Sequence, residues 1–508
     1  MAHKNINFND IDLTITPLCA ALKRTWAALC STSSIHGLKY TRDKEACKKV
    51  RTIWIIIILL SLVAAISMVY SFYMQYRNNI TRMTIENYIP IETLAFPAVT
   101  ICPEAMFNVA ESKRYLATLR HPPGGHDITT LIQDLRIANR FIDDEDSYIS
   151  NPTAMQHQRE DNNFENSMEQ IENLMEYNNI SVMTFMENLQ WKCKDILFRC
   201  SFQGQTRDCN ELFKRSKSSF GYCCSFNIDQ DGINYTEYRA RSSVNEGLSL
   251  ILYHNDTDKD EILSYSNGFK LLVSHNSAFP GFYMPLKFIA PKRENFINMR
   301  PSEIYSSKSV KKLAITDRKC VFPNEYPLRH FKTNAGVNCD VECRINSTLK
   351  LCGCLPYFYD SSWINERICS FKDIPCLVKK FSVIIGRSLK DQCACPSLCN
   401  IVGFELELTN TRLEMGVPTV NDFYKDIKAD YSVVYIFIDS QVFARYKLDL
   451  IYNKLILVSN LGSAFSLFLG MSMVSIIEIF YYFTIILKKF YNQEIDMRNK
   501  FKKINTVK

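Results

Sequence analysis

Two stretches of this chain lack any regular alternation of polar and apolar positions. From about Thr52 to Gln75 almost every position is apolar, and a second apolar run, Leu455 to Leu487, lies between Lys454 and Lys488. Apolar segments of about 18 or more residues predict membrane-spanning helices. The second run would make a straight helix of about 50 Å at ~1.5 Å per residue, against a hydrocarbon core of roughly 30 Å. Tilting, projection beyond the bilayer or a break in the helix must absorb the surplus. Within it, Ser459, Gly462, Ser466 and Gly470 recur at steps of three and four and so share one helical face. Ser472, Ser475 and Glu478 follow. Small residues let helices approach closely in lipid. Glu478 favours a different use, because an ionisable group in a span usually faces a bundle interior or an aqueous path. Gly470-Met471-Ser472 would also let backbone carbonyls come close to an ion. Helix packing and a water-lined pore both remain open on this segment alone.

Between the two runs the pattern turns to short elements. Phe96-Pro-Ala-Val-Thr-Ile-Cys102-Pro103 predicts a strand closed by proline, and Leu248–Tyr253, Lys270–Ser274, Phe404–Leu408 and Tyr431–Asp439 predict further strands. Helical periodicity appears around 128–140 and 166–190. Pro122-Pro-Gly-Gly125 breaks the chain, and the acidic run Asp143-Asp144-Glu145-Asp146 reads first as a solvated face.

Charge orients the spans. Lys39, Arg42, Lys44, Lys48, Lys49 and Arg51 precede the first, and Lys488, Lys489, Arg498, Lys500, Lys502, Lys503 and Lys508 follow the second. Basic residues collect on the cytosolic side, so both termini are expected inside, with about 375 residues outside. The net charge of +7 therefore reflects topology and does not predict nucleic-acid binding. No cleavable leader is read at Met1; the first span is expected to act as its own insertion signal. Of the 19 cysteines, Cys19, Cys30 and Cys47 precede the first span and the rest lie between the spans, as a disulfide set in an oxidising compartment would. The sequons at Asn79, Asn179, Asn234, Asn255 and Asn346 fall in the same segment. From Cys339 the spacing C-x3-C-x8-C-x-C-x14-C-x6-C-x16-C-x-C-x3-C is nearly palindromic, as nested bridges between two antiparallel helices would produce. Histidines near it are too few for zinc sites, and connectivity stays open on spacing alone.

His36-Gly37 before the first span, Phe96–Cys102 just after it, Cys223-Cys224-Ser-Phe-Asn227, the ten-cysteine ladder with Cys352-Gly-Cys354-Leu-Pro-Tyr, and Leu467-Phe-Leu-Gly470-Met-Ser472 followed by Glu478 come in one order. In that order they resemble the degenerin/epithelial sodium channel family, most closely its insect pickpocket branch, over essentially the whole length. The resemblance implies a membrane protein with two transmembrane helices flanking a large disulfide-rich α+β extracellular domain of palm, finger, β-ball and thumb. The corresponding segments are a cytosolic piece 1–51, a first span 52–75, an extracellular domain 76–452 with its thumb at about 320–399, a second span with pore 453–487, and a cytosolic tail 488–508. It implies the pairs Cys320–Cys399, Cys339–Cys395, Cys343–Cys393, Cys352–Cys376, Cys354–Cys369, Cys200–Cys209 and Cys102–Cys224, which leaves Cys193 with Cys223. It further implies a homo- or hetero-trimer in the plasma membrane, passing sodium or other monovalent cations. Gly470, Met471 and Ser472 would form the selectivity filter, Ser459, Gly462, Ser466 and Glu478 would line the pore or gate, and His36 and Gly37 would serve gating from below.

Three departures bear on selectivity and stimulus. Met471 stands where the family carries a small residue, Ser466 replaces a glycine, and Asp317-Arg-Lys-Cys320 stands where acid-sensing relatives have tryptophan. The first two bear on sodium preference and amiloride block; the third weighs against proton gating and favours a chemical or mechanical stimulus. Met471 also keeps open a non-conducting, ancillary or ligand-binding subunit. An ATP-gated channel would need clustered Lys and Arg, for which only Lys292-Arg293 and Lys311-Lys312 offer themselves. No nucleophile–base pair, phosphate loop, metal cluster or cofactor motif points to an enzyme.

Overall fold

The structure, a computed structural model, describes residues 16–43, 47–78, 80–143, 162–230, 233, 235–253, 268–281, 284–359, 365–385, 393–414, 421–451 and 454–505. Asp144, Glu145 and Asp146 of the acidic run and the sequons at Asn79, Asn234 and Asn255 lie outside the described residues. Its longer helices are α1 (Pro17–Thr32), α2 (Lys48–Asn78), α3 (Val109–Thr118), α4 (Ile128–Asp143), α5 (Asn162–Asn178), α6 (Val182–Leu189), α7 (Val337–Cys352), α8 (Ile374–Ile385), α9 (Lys454–Leu469), α10 (Met473–Tyr481) and α11 (Leu487–Asn505). Its strands are β1 (Thr81–Pro90), β2 (Ala98–Pro103), β3 (Leu197–Phe202), β4 (Gln205–Arg207), β5 (Phe213–Ser218), β6 (Gly221–Phe226), β7 (Leu248–Tyr253), β8 (Phe269–Ser274), β9 (Leu286–Ile289), β10 (Arg293–Ser306), β11 (Ile401–Arg412), β12 (Tyr431–Phe437) and β13 (Val442–Leu450). The chain divides into two compact units, residues 83–449, and residues 1–82 with 450–508.

The larger unit contains two sheets. One runs β1-β13-β10-β12-β7-β3-β4, with β11 pairing β10, and the other runs β5-β6-β2-β8-β9. Their inner faces share a core in which Phe202 lies 5.3 Å from Phe96 and 4.9 Å from Phe226, ring centre to ring centre. Ile101, Leu250, Leu271, Ile297 and Ile436 fill the space around them, fully buried. β10 organises the first sheet. It runs antiparallel to β11 along nearly its whole length, while on its other edge Glu294–Asn298 pair parallel with β12 and Ser302–Ser306 with β13. Pro301, which has no N–H to give, falls in the gap between those two partners, a position a sheet strand tolerates.

A second core joins helices α3–α6 to α7 and α8. Leu116, Leu135, Met168, Ile171, Phe185, Ile345, Phe371 and Val378 belong to it, and Phe185 meets Phe371 edge-on at 5.9 Å. Local signals start the helices. The Asn108 side chain accepts from the Glu111 N–H at the start of α3, and Ser181 from the Thr184 N–H at the start of α6. Gly353, at φ +68°, ends α7.

The cysteines of residues 320–399 form Cys320–Cys399, Cys339–Cys395, Cys343–Cys393, Cys352–Cys376 and Cys354–Cys369. Among the described residues only Cys352–Cys376 joins helix to helix; Cys339 and Cys343 tie α7 to Cys395 and Cys393, which lie outside any helix, and Cys320–Cys399 bridges two residues outside both helices. This differs from the expected pair of antiparallel helices, and the spacing gives the reason. Cys393 and Cys395, two apart, share a face only in an extended chain, where they can meet Cys339 and Cys343, which share a face of α7. At β2 and β6, the expected Cys102–Cys224 and Cys193–Cys223 pairs are corrected: Cys102 bonds Cys223, and Cys193 bonds Cys224. β2 pairs antiparallel with β6 so that Ile101 faces Cys224, which brings Cys102 opposite Cys223. Adjacent strand residues point to opposite faces, so Cys224 turns the other way, toward Cys193.

In the smaller unit, α2 is long and apolar enough to cross a membrane by length and composition, with mean hydropathy 2.7. The second apolar run is broken. Leu455–Leu469 and Met473–Lys500 meet at 74°, and the helical path continues through a π-helical turn at Tyr482–Ile486 into α11. The segment expected to be a short tail is thus helical to Asn505. α9 packs on α2, and α1 on α11.

Candidate pore and gating site

The break in the second apolar run has a local cause. Gly470 takes φ +65°, which glycine adopts without the ~1–2 kcal/mol cost that a Cβ imposes. Its N–H donates to the Ser466 carbonyl at 2.9 Å, closing α9 with a left-handed cap. Two residues on, Ser472 starts α10: its side chain accepts from the Ser475 N–H, and the Ser475 hydroxyl accepts from the Ser472 N–H at 3.1 Å. Gly470-Met471-Ser472 is therefore a stop and a start with one residue between.

The segment between α1 and α2 completes this break. The His36 N–H donates to the Leu469 carbonyl at 3.0 Å, satisfying one of the acceptors that a helix end leaves open. The His36 ring lies so close to Gly470 that a Cβ there would stand 2.5 Å from its Nδ1. Gly37, at φ +81°, packs over Trp54, leaving 3.1 Å to a hypothetical Cβ, and Trp54 stacks on Tyr40 at 4.7 Å. Ser34 hydrogen-bonds Ser475 at 2.7 Å and donates to Glu478 at 3.4 Å. Thr32 bonds the Tyr482 hydroxyl at 2.7 Å, at the start of the π-helical turn. A cavity of about 430 Å³ beside the loop is lined by His36, Tyr40, Trp54, Ile58 and Phe468.

Ser459, Gly462 and Ser466 are exposed, and a Cβ on Gly462 would meet nothing within 4 Å. The fully buried small residues of the two apolar helices are instead Ala65 on α2 and Ala464 on α9. Within one chain, then, the small-residue face is not the packing face. Glu478 is half-buried and lies one turn beyond the buried Ser475. Asn179 and Asn346 are both exposed.

The sequence did not single out Ser34, Tyr40, Trp54 or the pairing of α1 with α11. In that pairing the buried Glu494 lies 3.4 Å from Arg24 and 3.5 Å from Arg498. The run of hydroxyl residues just before His36 was the available signal for Ser34. Cys30, on α1, is fully buried, and burial pushes its thiol up against the opposing hydrogen bond from Thr41.

The description "amiloride-sensitive sodium channel" belongs to the family profile that matches residues 29–482. Sodium channel protein Nach of Drosophila ananassae is 42% identical over 502 residues, 98% of this chain and 94% of that protein. The chain belongs to the degenerin/epithelial sodium channel family. Two further family members are similar to it. Sodium channel protein Nach of Drosophila melanogaster is 41% identical over 96% of this chain and 92% of its own length. Pickpocket protein 11 of Drosophila melanogaster is 28% identical over 51% of this chain and 48% of its own. The chain is an insect-type member of a family of membrane-bound cation channels.

Proposed function

We propose that this chain is a pore-lining subunit of a plasma-membrane cation channel, probed by sodium as the reference ion and gated through its extracellular unit by a chemical or mechanical stimulus. In this reading three copies, alike or mixed with relatives, surround the permeation path with α9. Both termini are cytosolic, and the second apolar run crosses the bilayer as a broken span. The observation that carries it is the exposed face Ser459–Gly462–Ser466, which leads to the backbone break at Gly470 and is left unused by α2. A small polar face aimed away from the partner helix suits water and ions. Ion selection would then rest on the carbonyls and hydroxyl of Gly470, Met471 and Ser472, with Glu478 beyond them.

Whole-cell recording with ion substitution tests this. The expected result is a cation current whose reversal potential moves with sodium, and which Ser459→Val holds open by crowding the face. Normal surface delivery with no current in either form, even beside co-expressed relatives, refutes it. A second reading is favoured by Met471 alone: a side chain that large at the break would suit an ancillary subunit, which would traffic with conducting relatives and change their current without passing its own.

A further inference from the structure

The extracellular unit holds a cavity of about 360 Å³ away from the break, within the size range of small-molecule sites. Three parts of the fold wall it. Val273 and Met284 come from the end of β8 and the turn beyond it. Ile304 and Ile401 come from the paired strands β10 and β11. Val337 and Leu398 come from the two arms of the thumb base. Gly403 adds wall without side chain.

The polar lining groups are mostly committed elsewhere. Glu303 is held by Arg445 at 2.6 Å. The Asn334 side-chain oxygen accepts from the Gly336 N–H at 3.1 Å, and that of Asn400 from the Ser306 N–H at 2.9 Å. His275 differs. Its Nδ1 accepts from the Ser277 N–H at 3.3 Å, so a neutral ring carries its proton on Nε2 and offers a donor. His275 is exposed as a residue, and the protein packed around its ring lowers its proton affinity, against the pull of Asp229. Among the described residues lining the cavity the one carboxylate, Glu303, is already paired, so a charged occupant would be buried without a counter-charge in the wall, which is costly.

We infer that this cavity binds a small uncharged organic molecule with an apolar body and one hydrogen-bond-accepting oxygen, such as a ketone or ester, its oxygen on His275 Nε2. Nothing in this assignment rests on the pore reading.

Benzophenone fits that description and is its own photolabel: on irradiation its carbonyl carbon bonds a nearby side-chain carbon and its oxygen takes the displaced hydrogen. The purified full-length chain in detergent is irradiated with benzophenone, or with the anion 4-benzoylbenzoate, and adducts are mapped by peptide mass spectrometry. Saturable adducts on the cavity walls, Met284 foremost, are expected. They should fall at least tenfold in Val337→Trp and in Leu398→Trp, which fill the cavity from different arms, and at least threefold in His275→Ala. The anion should label at least tenfold less. Each variant is compared only where its elution volume and its disulfide-linked peptides match the parent. Wall labelling that survives both tryptophans, equal labelling by the anion, or adducts confined to the apolar surfaces of α2 and α9 would each overturn the assignment. The readout is an adduct, so a chain that passes no current still answers it.

Discussion

Replacing Gly470 with alanine acts on the break and on the loop beneath it at once. The left-handed backbone there costs a non-glycine residue ~1–2 kcal/mol. The added Cβ would stand 2.5 to 2.7 Å from three atoms of the His36 ring, so the ring has to leave. If His36 moves away, its N–H bond to the Leu469 carbonyl goes too, a further ~0.5–1.5 kcal/mol. The backbone cost falls on the docked and undocked states alike, so the lost bond sets the shift, about two- to twelvefold in the population of the undocked loop at ~1.4 kcal/mol per decade. The chain carries its own reporter. Cys30 is buried on α1, against which Leu38–Thr41 of the same loop pack, whereas Cys19 and Cys47 are exposed. When opening is fast relative to modification, labelling follows the open population. Maleimide labelling of Cys30 should therefore speed up by that factor in Gly470→Ala, with Cys19 and Cys47 unchanged. Adding His36→Ala to that variant removes the clash and should recover part of the protection. Cys30 reactivity equal to the parent in Gly470→Ala would refute the docked loop, and equal reactivity in single and double variants would refute the ring contact.

Ser34→Ala removes the hydroxyl that bonds Ser475 and Glu478, and should weaken docking by ~1 kcal/mol, seen as roughly fivefold faster Cys30 labelling. Cys193→Ala should leave Cys224, not Cys223, as the free thiol, and alkylation before digestion tells the two apart; a labelled Cys223 would restore the pairing first expected. Burial alone would raise the Glu342 carboxyl, but hydrogen bonds from the His330 ring and from the N–H groups of His330 and Arg329 outweigh it and hold it below its usual range. A carboxylate depressed in the folded state stabilises above its unfolded value near ~4.3 and loses that contribution as pH falls through the folded value. The melting temperature of the extracellular unit should accordingly drop over that acid range, and Glu342→Gln should lower it at neutral pH and flatten that part of the curve; an unchanged acid limb would exclude the pair.

Much of this was legible because period and spacing are local signals. The strand around Phe96–Cys102 and the helices near 128–140 and 166–190 follow from residue type against its neighbours, whereas a break was one of three ways to absorb the surplus length and its place at Gly470 came from the family resemblance. The exchange of partners at Cys223 and Cys224 was not legible, since it depends on the register between β2 and β6, and a one-residue shift turns each side chain to the other face. The extended outer arm of the thumb was hidden for a related reason: the palindrome of cysteines is equally compatible with a helix or a strand opposite α7. At the site, His36 and Gly37 stood out through the family resemblance, but the contact of His36 with Gly470 bridges more than four hundred residues, and no periodicity reaches that far. The sequence reads α11 as a tail because it follows the second apolar run and carries the basic residues expected on the cytosolic side; the structure instead packs it on α1 and buries Glu494 against two arginines.

Because a backbone N–H from residue 36 closes the last turn of α9, the chain ahead of the first span is a fitted part and not a leash. A subunit trimmed a few dozen residues from its start would keep both apolar helices and the whole disulfide scaffold, and could reach the cell surface looking intact. What it would lack is the piece that finishes the kink, so under the proposed channel function damage of that kind, by protease or by alternative initiation, should register as altered throughput in a properly delivered protein.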